Sequence, residues 1–168
     1  IPSTVFFGYR KKHLPILKVK YPPAKNKQNG SIVNTVAMLT DNPKRITVFV
    51  NKANYTEELI RKTGVFNVSV LTESAPFALF KQFGFSSGRD TDKFEGKVYP
   101  TTESGLYYIP DHTNAVISAK VVGAHDYGTH TLFVGEVVEA KTLSDHKSLS
   151  YEQYLTEVKP QTKPAPKP

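Results

Sequence analysis

The feature that most restricts how this chain can fold is the run ITVFVNKANYTEELIRKTG, residues 46–64. Ile46, Val48 and Val50 alternate with Thr47, Phe49 and Asn51, a period-two pattern of β-branched and aromatic residues that predicts a strand. Asn54 stands three residues before Glu57, the spacing of a capping box. A helix is therefore predicted over 55–63, with Gly64 at its C′ position. Between strand and helix lie Asn51, Lys52, Asn54 and Thr56. A lysine, two amides and a hydroxyl beside the free N–H groups of a helix N-terminus suit a phosphate. The same residues also suit an ordinary solvated strand-to-helix turn, and local sequence leaves both readings open.

Around this unit the chain reads as mostly strand. A first strand over 17–21 is followed by KNKQNG, with Asn29-Gly30 expected at the tip of a turn. SIVNTVAMLT, residues 31–40, reads as one strand interrupted by Asn34 and Thr35, which need polar partners, either neighbouring backbone or a polar ligand. Asp41-Asn42-Pro43 ends it with turn chemistry. VFNVSVL, residues 65–71, places Phe66, Val68 and Val70 on one face and Asn67 and Ser69 on the other. Ser74 is expected to cap a second helix that has Pro76 near its first turn, and Phe77, Phe80 and Phe83 form its core-facing stripe. GFSSGRDTDKFEG, residues 84–96, is a polar, glycine-rich loop in which Arg89 would offer a bidentate fork to a phosphate or carboxylate, or stay solvated. Three further strands are predicted over 105–109, 115–123 and 130–140, the last two joined by DYGT. Six or seven strands with two short helices, and later strands that run on without helical crossovers, favour an antiparallel barrel with helical insertions.

The 168 residues suffice for one domain with a real core. That domain is expected over 1–158, with 1–28 hard to assign because Pro15, Pro22 and Pro23 break the pattern, and with a disordered Lys/Pro-rich tail over 159–168. The net charge of +7 sits at the ends. Residues 1–40 carry seven basic side chains and no acidic one, and the tail carries Lys159, Lys163 and Lys167, which leaves −3 on residues 41–158. Basic ends on a mildly acidic body argue against a nucleic-acid surface. No apolar run approaches the roughly 18 residues of a bilayer-spanning helix, so no membrane partner is expected. The absence of cysteine excludes disulfides, thiolate catalysis and Cys-ligated metals in this chain, and it is compatible with a reducing cytoplasm. His13, His112, His125, His130 and His146 show no ligand spacing on a helix, so no metal is expected. Neither a dinucleotide fingerprint, nor a Walker loop, nor a nucleophile elbow is present.

Three segments in order, NGSIVNTVAMLTDNPKRITVFVNKANYTEELIRKTGVFNVSVL, FGFSSGRDTDKFEG and GTHTLFVGEVVEAK, resemble the flavin reductase-like family of FMN-binding split barrels. The likeness runs from about residue 29 to 143 and is nearest to the flavin domain of high-molecular-weight rubredoxins and to flavoredoxin. Two departures stand out. Phe7-Gly8-Tyr9 is a loose echo of the family's Tyr-Gly pair, and after Tyr151 and Tyr154 the chain turns Lys/Pro-rich.

The resemblance implies a mainly β, antiparallel split barrel with short inserted helices. It also implies a homodimer that binds one FMN per subunit near the dimer interface and moves hydride or electrons from NAD(P)H or a redox protein; the location expected for the chain is cytoplasmic. Carried over by position, Asn34, Thr35, Val36 and Ala37 would lie along the isoalloxazine. Asn51, Lys52, Ala53 and Thr56 would hold the phosphate, and Ser87, Arg89, Asp92 and Lys93 would close over the cofactor. His130 would lie near the nicotinamide or acceptor. No side-chain catalyst is implied, because the flavin carries the chemistry. Two alternatives stay open: a non-catalytic electron relay for a rubredoxin-like partner, and a cofactor-free basic β-barrel.

Overall fold

The computed structural model describes residues 15–20 and 28–160. Seven strands occur in these residues: β1 (Pro15–Lys20), β2 (Gln28–Ile32), β3 (Ala37–Thr40), β4 (Arg45–Asn51), β5 (Val65–Leu71), β6 (Thr113–Asp126) and β7 (His130–Thr142). Helix α1 (Tyr55–Thr63) lies between β4 and β5, and α2 (Phe77–Gly84) follows β5. A short α3 (Tyr151–Gln153) continues as a π-helical turn over Tyr154–Val158. The sheet order is β2-β1-β5-β6-β7-β4-β3, and every neighbouring pair is antiparallel. The expected mainly β, antiparallel architecture with short helical insertions is the one observed.

The β6–β7 hairpin is the spine of the fold. DYGT forms its turn, with Gly128 at φ 84° and its N–H bonded to Asp126 Oδ1 at 2.8 Å. Register shifts between Ser118 and Ala119 and between Val121 and Gly123 add twist to the hairpin. The sheet curls enough for the inner faces of β4 and β5 to meet, although β6 and β7 lie between them in the strand order. Ile46, Val48 and Val50 pack in one cluster with Phe66, Val68 and Val70, and Leu59 and Ile60 of α1 complete it. Close approach at the curl requires Gly135, because a Cβ there would stand 2.7 Å from Phe66 Cζ. A second cluster packs Phe80 and Phe83 of α2 against Ile16, Leu71 and Phe94.

The strand–turn–helix unit follows its sequence pattern closely. Asn54 Oδ1 accepts from Thr56 N–H at 3.1 Å, and Gly64 takes the left-handed conformation at φ 69°. The capping box is incomplete, however. Glu57 does not reach back to Asn54; its buried carboxylate accepts from Thr131 Oγ1 and from Arg61, both at 2.6 Å. A tertiary partner on β7 outcompetes the local one.

Four other expectations are corrected. Asn29-Gly30 lies inside β2 rather than at a turn tip, because Asn29 is buried and Gly30 gives room to the Phe83 ring. The single strand expected over 31–40 is two strands at opposite edges of the sheet, β2 beside β1 and β3 beside β4. Residues 33–36 cross that seam, where Thr35 Oγ1 donates to Phe49 O at 2.8 Å. Residues 105–109 form no strand; only a Thr101–Tyr107 bridge is present, and the Asn67 amide satisfies Leu106 O and Tyr107 O. Ser74 bonds Thr72 Oγ1 and His112 Nδ1 instead of capping α2, whose cap position is Pro76. The predictions for residues 1–14, 21–27 and 161–168 lie outside the described residues.

Candidate functional site

Because residues 33–36 leave one edge of the sheet for the other, a cleft opens beside them, and α2 forms its second side. Two adjacent chambers occupy it. The first, of about 300 Å³, is lined by Ile32, Val33, Asn34, Phe80, Phe85, Tyr151 and Tyr154 together with Gly84. Phe80 and Tyr154 lie with ring centroids 4.5 Å apart and planes tilted by 33°, and Tyr151 and Tyr154 stack at 6.2 Å. This is a flat-walled aromatic slot with one amide, Asn34, at its side.

The second chamber, of about 310 Å³, shares Ile32, Gly84 and Phe85 with the first and differs sharply in chemistry. Ser31, Ser86, Ser87 and Lys93 line it on one side, and Ala53, Asn54 and Tyr55 at the start of α1 line it on the other. The positive end of the α1 dipole therefore faces the same space as a buried ammonium. Lys93 Nζ donates to Gly30 O at 2.8 Å and to Phe83 O, near the C-terminus of α2, at 3.1 Å. Those two bonds tie β2, α2 and the loop together. Both acceptors are neutral, and among the described residues Lys93 has no carboxylate partner. Burial pushes its ammonium down from the usual lysine range to about 8.

The loop that carries Lys93 is pinned at several points. Ser87 O accepts from the N–H groups of Asp90 and Thr91. Gly88 packs so closely on β2 that a Cβ would fall 2.1 Å from Asn29 Oδ1. Asn29 Nδ2 and Ser31 Oγ in turn donate to the buried Thr56 hydroxyl at 3.0 and 2.9 Å, fastening β2 to the first turn of α1. Asn29 Oδ1 itself is buried without a hydrogen-bond partner among the described residues.

The residues singled out from sequence separate into three groups. Asn34, Ala53, Ser87 and Lys93 line the two chambers. Thr35, Val36, Asn51, Thr56 and Asp92 shape the surrounding backbone without lining them. Asn51 Oδ1 accepts from Ala53 N–H at 2.9 Å, Asp92 Oδ1 accepts from Phe94 N–H at 3.0 Å, and Val36 packs on the core. Ala37 is exposed on β3. The third group has other commitments. Lys52 is ion-paired with Asp126 of the hairpin, which holds that carboxyl below its usual range. Arg89 donates to Glu58 at 2.8 Å and lies 4.3 Å over the Tyr55 ring. His130 opens β7 opposite Asn51, with Nδ1 2.9 Å from Thr129 Oγ1.

Sequence reasoning missed Phe85, Tyr151 and Tyr154 as lining residues. A signal for the last two was present: Ser150 and Gln153 form a complete capping box, which fixes a helical turn and brings both tyrosines to the slot.

Three comparisons bear on this cleft. A family model described as flavin reductase like domain matches residues 22–156. The chain is 44% identical over 125 residues to a ferric-chelate reductase (NAD(P)H) of Archaeoglobus fulgidus, covering 74% of each protein. It is 41% identical over 140 residues to a high molecular weight rubredoxin of Moorella thermoacetica, covering 83% of this chain and 61% of that one. Flavoredoxin from Methanosarcina acetivorans superposes with a TM-score of 0.69 at 26% identity, over 96% of this chain and 80% of that structure.

Proposed function

This chain belongs to the flavin reductase-like family, and from that premise we propose that it is an FMN-binding oxidoreductase taking hydride or electrons from NAD(P)H, or from a redox protein, to an acceptor. The observation that carries this reading is the pairing of an aromatic slot with an ammonium- and hydroxyl-lined chamber through the shared residues Ile32, Gly84 and Phe85. FMN has the same two-part chemistry: a flat tricyclic ring joined by a short chain to a phosphate. The residues present fit it. Phe85, Tyr151 and Tyr154 offer aromatic faces to the ring, and Asn34 offers an amide to its polar edge. Ser87 offers a hydroxyl to the phosphate, the positive end of the α1 dipole faces it, and Lys93 supplies a buried positive charge.

Bound FMN supplies the hydride- and electron-transfer chemistry that side chains lack. The protein's part is to hold the group, exclude water and balance charge. Lys93 takes the phosphate role that the turn lysine was expected to fill, because Lys52 is held by Asp126. Thr35, Val36 and Ala37 set the course of the seam beside the ring. Asn51, Ala53, Thr56 and Asp92 fix the backbone around the phosphate. His130 is assigned to the nicotinamide or acceptor side. A homodimer belongs to the same proposal, supported by exposed apolar side chains at Met38 (63%), Phe49 (40%) and Tyr127 (64%), and a cytoplasmic location is proposed with it, in keeping with the absence of cysteine.

Purified protein is expected to be yellow, or to become so on titration with FMN, and to bleach with NAD(P)H under anaerobic conditions. Protein that stays colourless and leaves FMN fluorescence unchanged overturns the reading. The likeness to a high molecular weight rubredoxin favours one second reading, an electron relay. Yellow protein that NAD(P)H leaves unbleached, but a reduced rubredoxin bleaches, would select it.

A further inference from the structure

Lys93 is gripped at both ends by consecutive residues of α2. At its head, Nζ donates to Phe83 O at 3.1 Å. At its root, the main-chain oxygen of Lys93 accepts from Gln82 Nε2 at 2.6 Å. No backbone N–H is paired with that oxygen among the described residues, so the Gln82 amide is what ties this point of the loop to the helix. The Phe83 ring rests on Phe94, the residue after Lys93, with centroids 5.3 Å apart, and backs the same junction. Gln82 itself lines neither chamber of the cleft. It lines a separate cavity of about 430 Å³ with Leu79, Tyr99 and Ile109.

We infer that Gln82 is a positioning residue for Lys93: by holding the root of the lysine to the helix that also holds its head, it keeps the ammonium aimed into the phosphate chamber. The inference rests on the flavin reading above and adds to it a residue outside the chamber walls. The physical reason is the long, flexible lysine stem, which places its charge only as well as both of its ends are fixed. The charges nearby are otherwise committed. β2 carries none. Lys81 of α2 and Glu95 of the loop are exposed, and Asp92 accepts from Phe94 N–H. Glu57 of α1 is paired with Arg61, and Glu58 with Lys62 and Arg89. The Tyr99 hydroxyl lies 3.5 Å from Gln82 Nε2. Nothing in this set replaces the Gln82 bond at the root of Lys93.

The test is isothermal titration of the full chain with FMN and riboflavin across pH 6.5–9.5, for the wild type, Gln82→Met, Lys93→Met and the double variant, with circular dichroism to verify folding. Methionine keeps the length of the side chain and removes its donor; Gln82→Leu repeats the test should Gln82→Met misfold. Gln82→Met is expected to weaken FMN about three- to tenfold, the effect of one hydrogen bond, and to leave riboflavin unchanged. A bound phosphate dianion favours the protonated lysine, so FMN weakens above the pH at which Lys93 sheds its proton. A lysine released toward water keeps its proton longer, and the alkaline weakening should start about one pH unit higher in Gln82→Met. On the Lys93→Met background, Gln82→Met should cost nothing further, because its effect passes through the lysine. Wild-type FMN affinity and an unmoved alkaline weakening in Gln82→Met would overturn the inference. So would additive losses in the double variant, or riboflavin weakened as much as FMN, since either would make Gln82 a support for the loop or helix alone. Those results strike Gln82 while a binding wild type keeps the flavin reading; a wild type that binds neither flavin refutes that reading and the role of Gln82 with it.

Discussion

Replacing Lys93 with methionine tests the centre of the proposed site. The side chain is 7% exposed, and its ammonium is held by Gly30 O and Phe83 O, which leaves its third proton for an anion in the chamber. One charge-assisted hydrogen bond to a phosphate contributes about 1.5–3 kcal/mol, so Lys93→Met is expected to weaken FMN binding about 10- to 150-fold. Riboflavin affinity should hardly change, since the aromatic slot is untouched. The pH dependence sharpens the test. The free ammonium titrates at about 8, and a bound phosphate dianion favours the protonated form. The Kd for FMN should therefore be flat around neutrality and rise up to about tenfold per pH unit above that value. Lys93→Met should abolish the rise. The stability of the unliganded protein carries the opposite sign. The folded pKa lies below that of an unfolded lysine, about 10.4. Between about pH 8 and that value the unfolded chain holds more protons, and this residue's contribution to stability grows with pH. Isothermal titration with FMN and riboflavin across pH 6.5–9.5, alongside urea unfolding of the apoprotein, reads all three effects. A variant with wild-type FMN affinity and an unchanged alkaline slope would refute the assignment of Lys93 to the phosphate.

Lys52→Ala is expected to leave FMN affinity within about threefold, because it removes only a solvent-exposed pair with Asp126 that contributes about 0–1 kcal/mol; a larger loss in the same titration would return the phosphate role to the turn lysine. Thr131→Val removes the 2.6 Å hydrogen bond to the buried Glu57 carboxylate, at a cost of about 1.5–3 kcal/mol that a shift in urea midpoint would reveal; an unchanged midpoint would show that Arg61 alone satisfies Glu57. Gly135→Ala places a Cβ 2.7 Å from Phe66 Cζ and 2.9 Å from Ala119 Cβ, and overpacking of this kind typically costs about 1–3 kcal/mol; a thermal midpoint at or above wild type would mean that the curl of the sheet relaxes freely there.

The elements that could be read from sequence are those whose signals are local. The alternation at Ile46–Val50, the Asn54 cap and the left-handed Gly64 name a strand–turn–helix before any fold is known. In the same way DYGT names the hairpin turn between β6 and β7. The failures occur where distant residues set the outcome. The Asn29-Gly30 pair looks like a turn, but Thr56 and Phe83 draw it into the sheet. Residues 31–40 look like one strand, because nothing within them reveals that β2 and β3 sit at opposite edges of a curled sheet.

The same division holds for the site. By itself the sequence determined which residue types were available, a lysine and amides at a helix start, hydroxyls and basic residues in a glycine-rich loop, and its family likeness determined the cofactor they suit. Only the tertiary structure decided which cation faces the chamber. Lys52, Arg89 and Lys93 carry the same charge and stand in equally polar stretches. Asp126 claims the first and Glu58 the second, while Lys93 is buried between neutral carbonyls and, among the described residues, remains without a counter-charge. Ion pairing depends on distances of a few ångströms between segments far apart in the chain, and periodicity and spacing do not encode those distances.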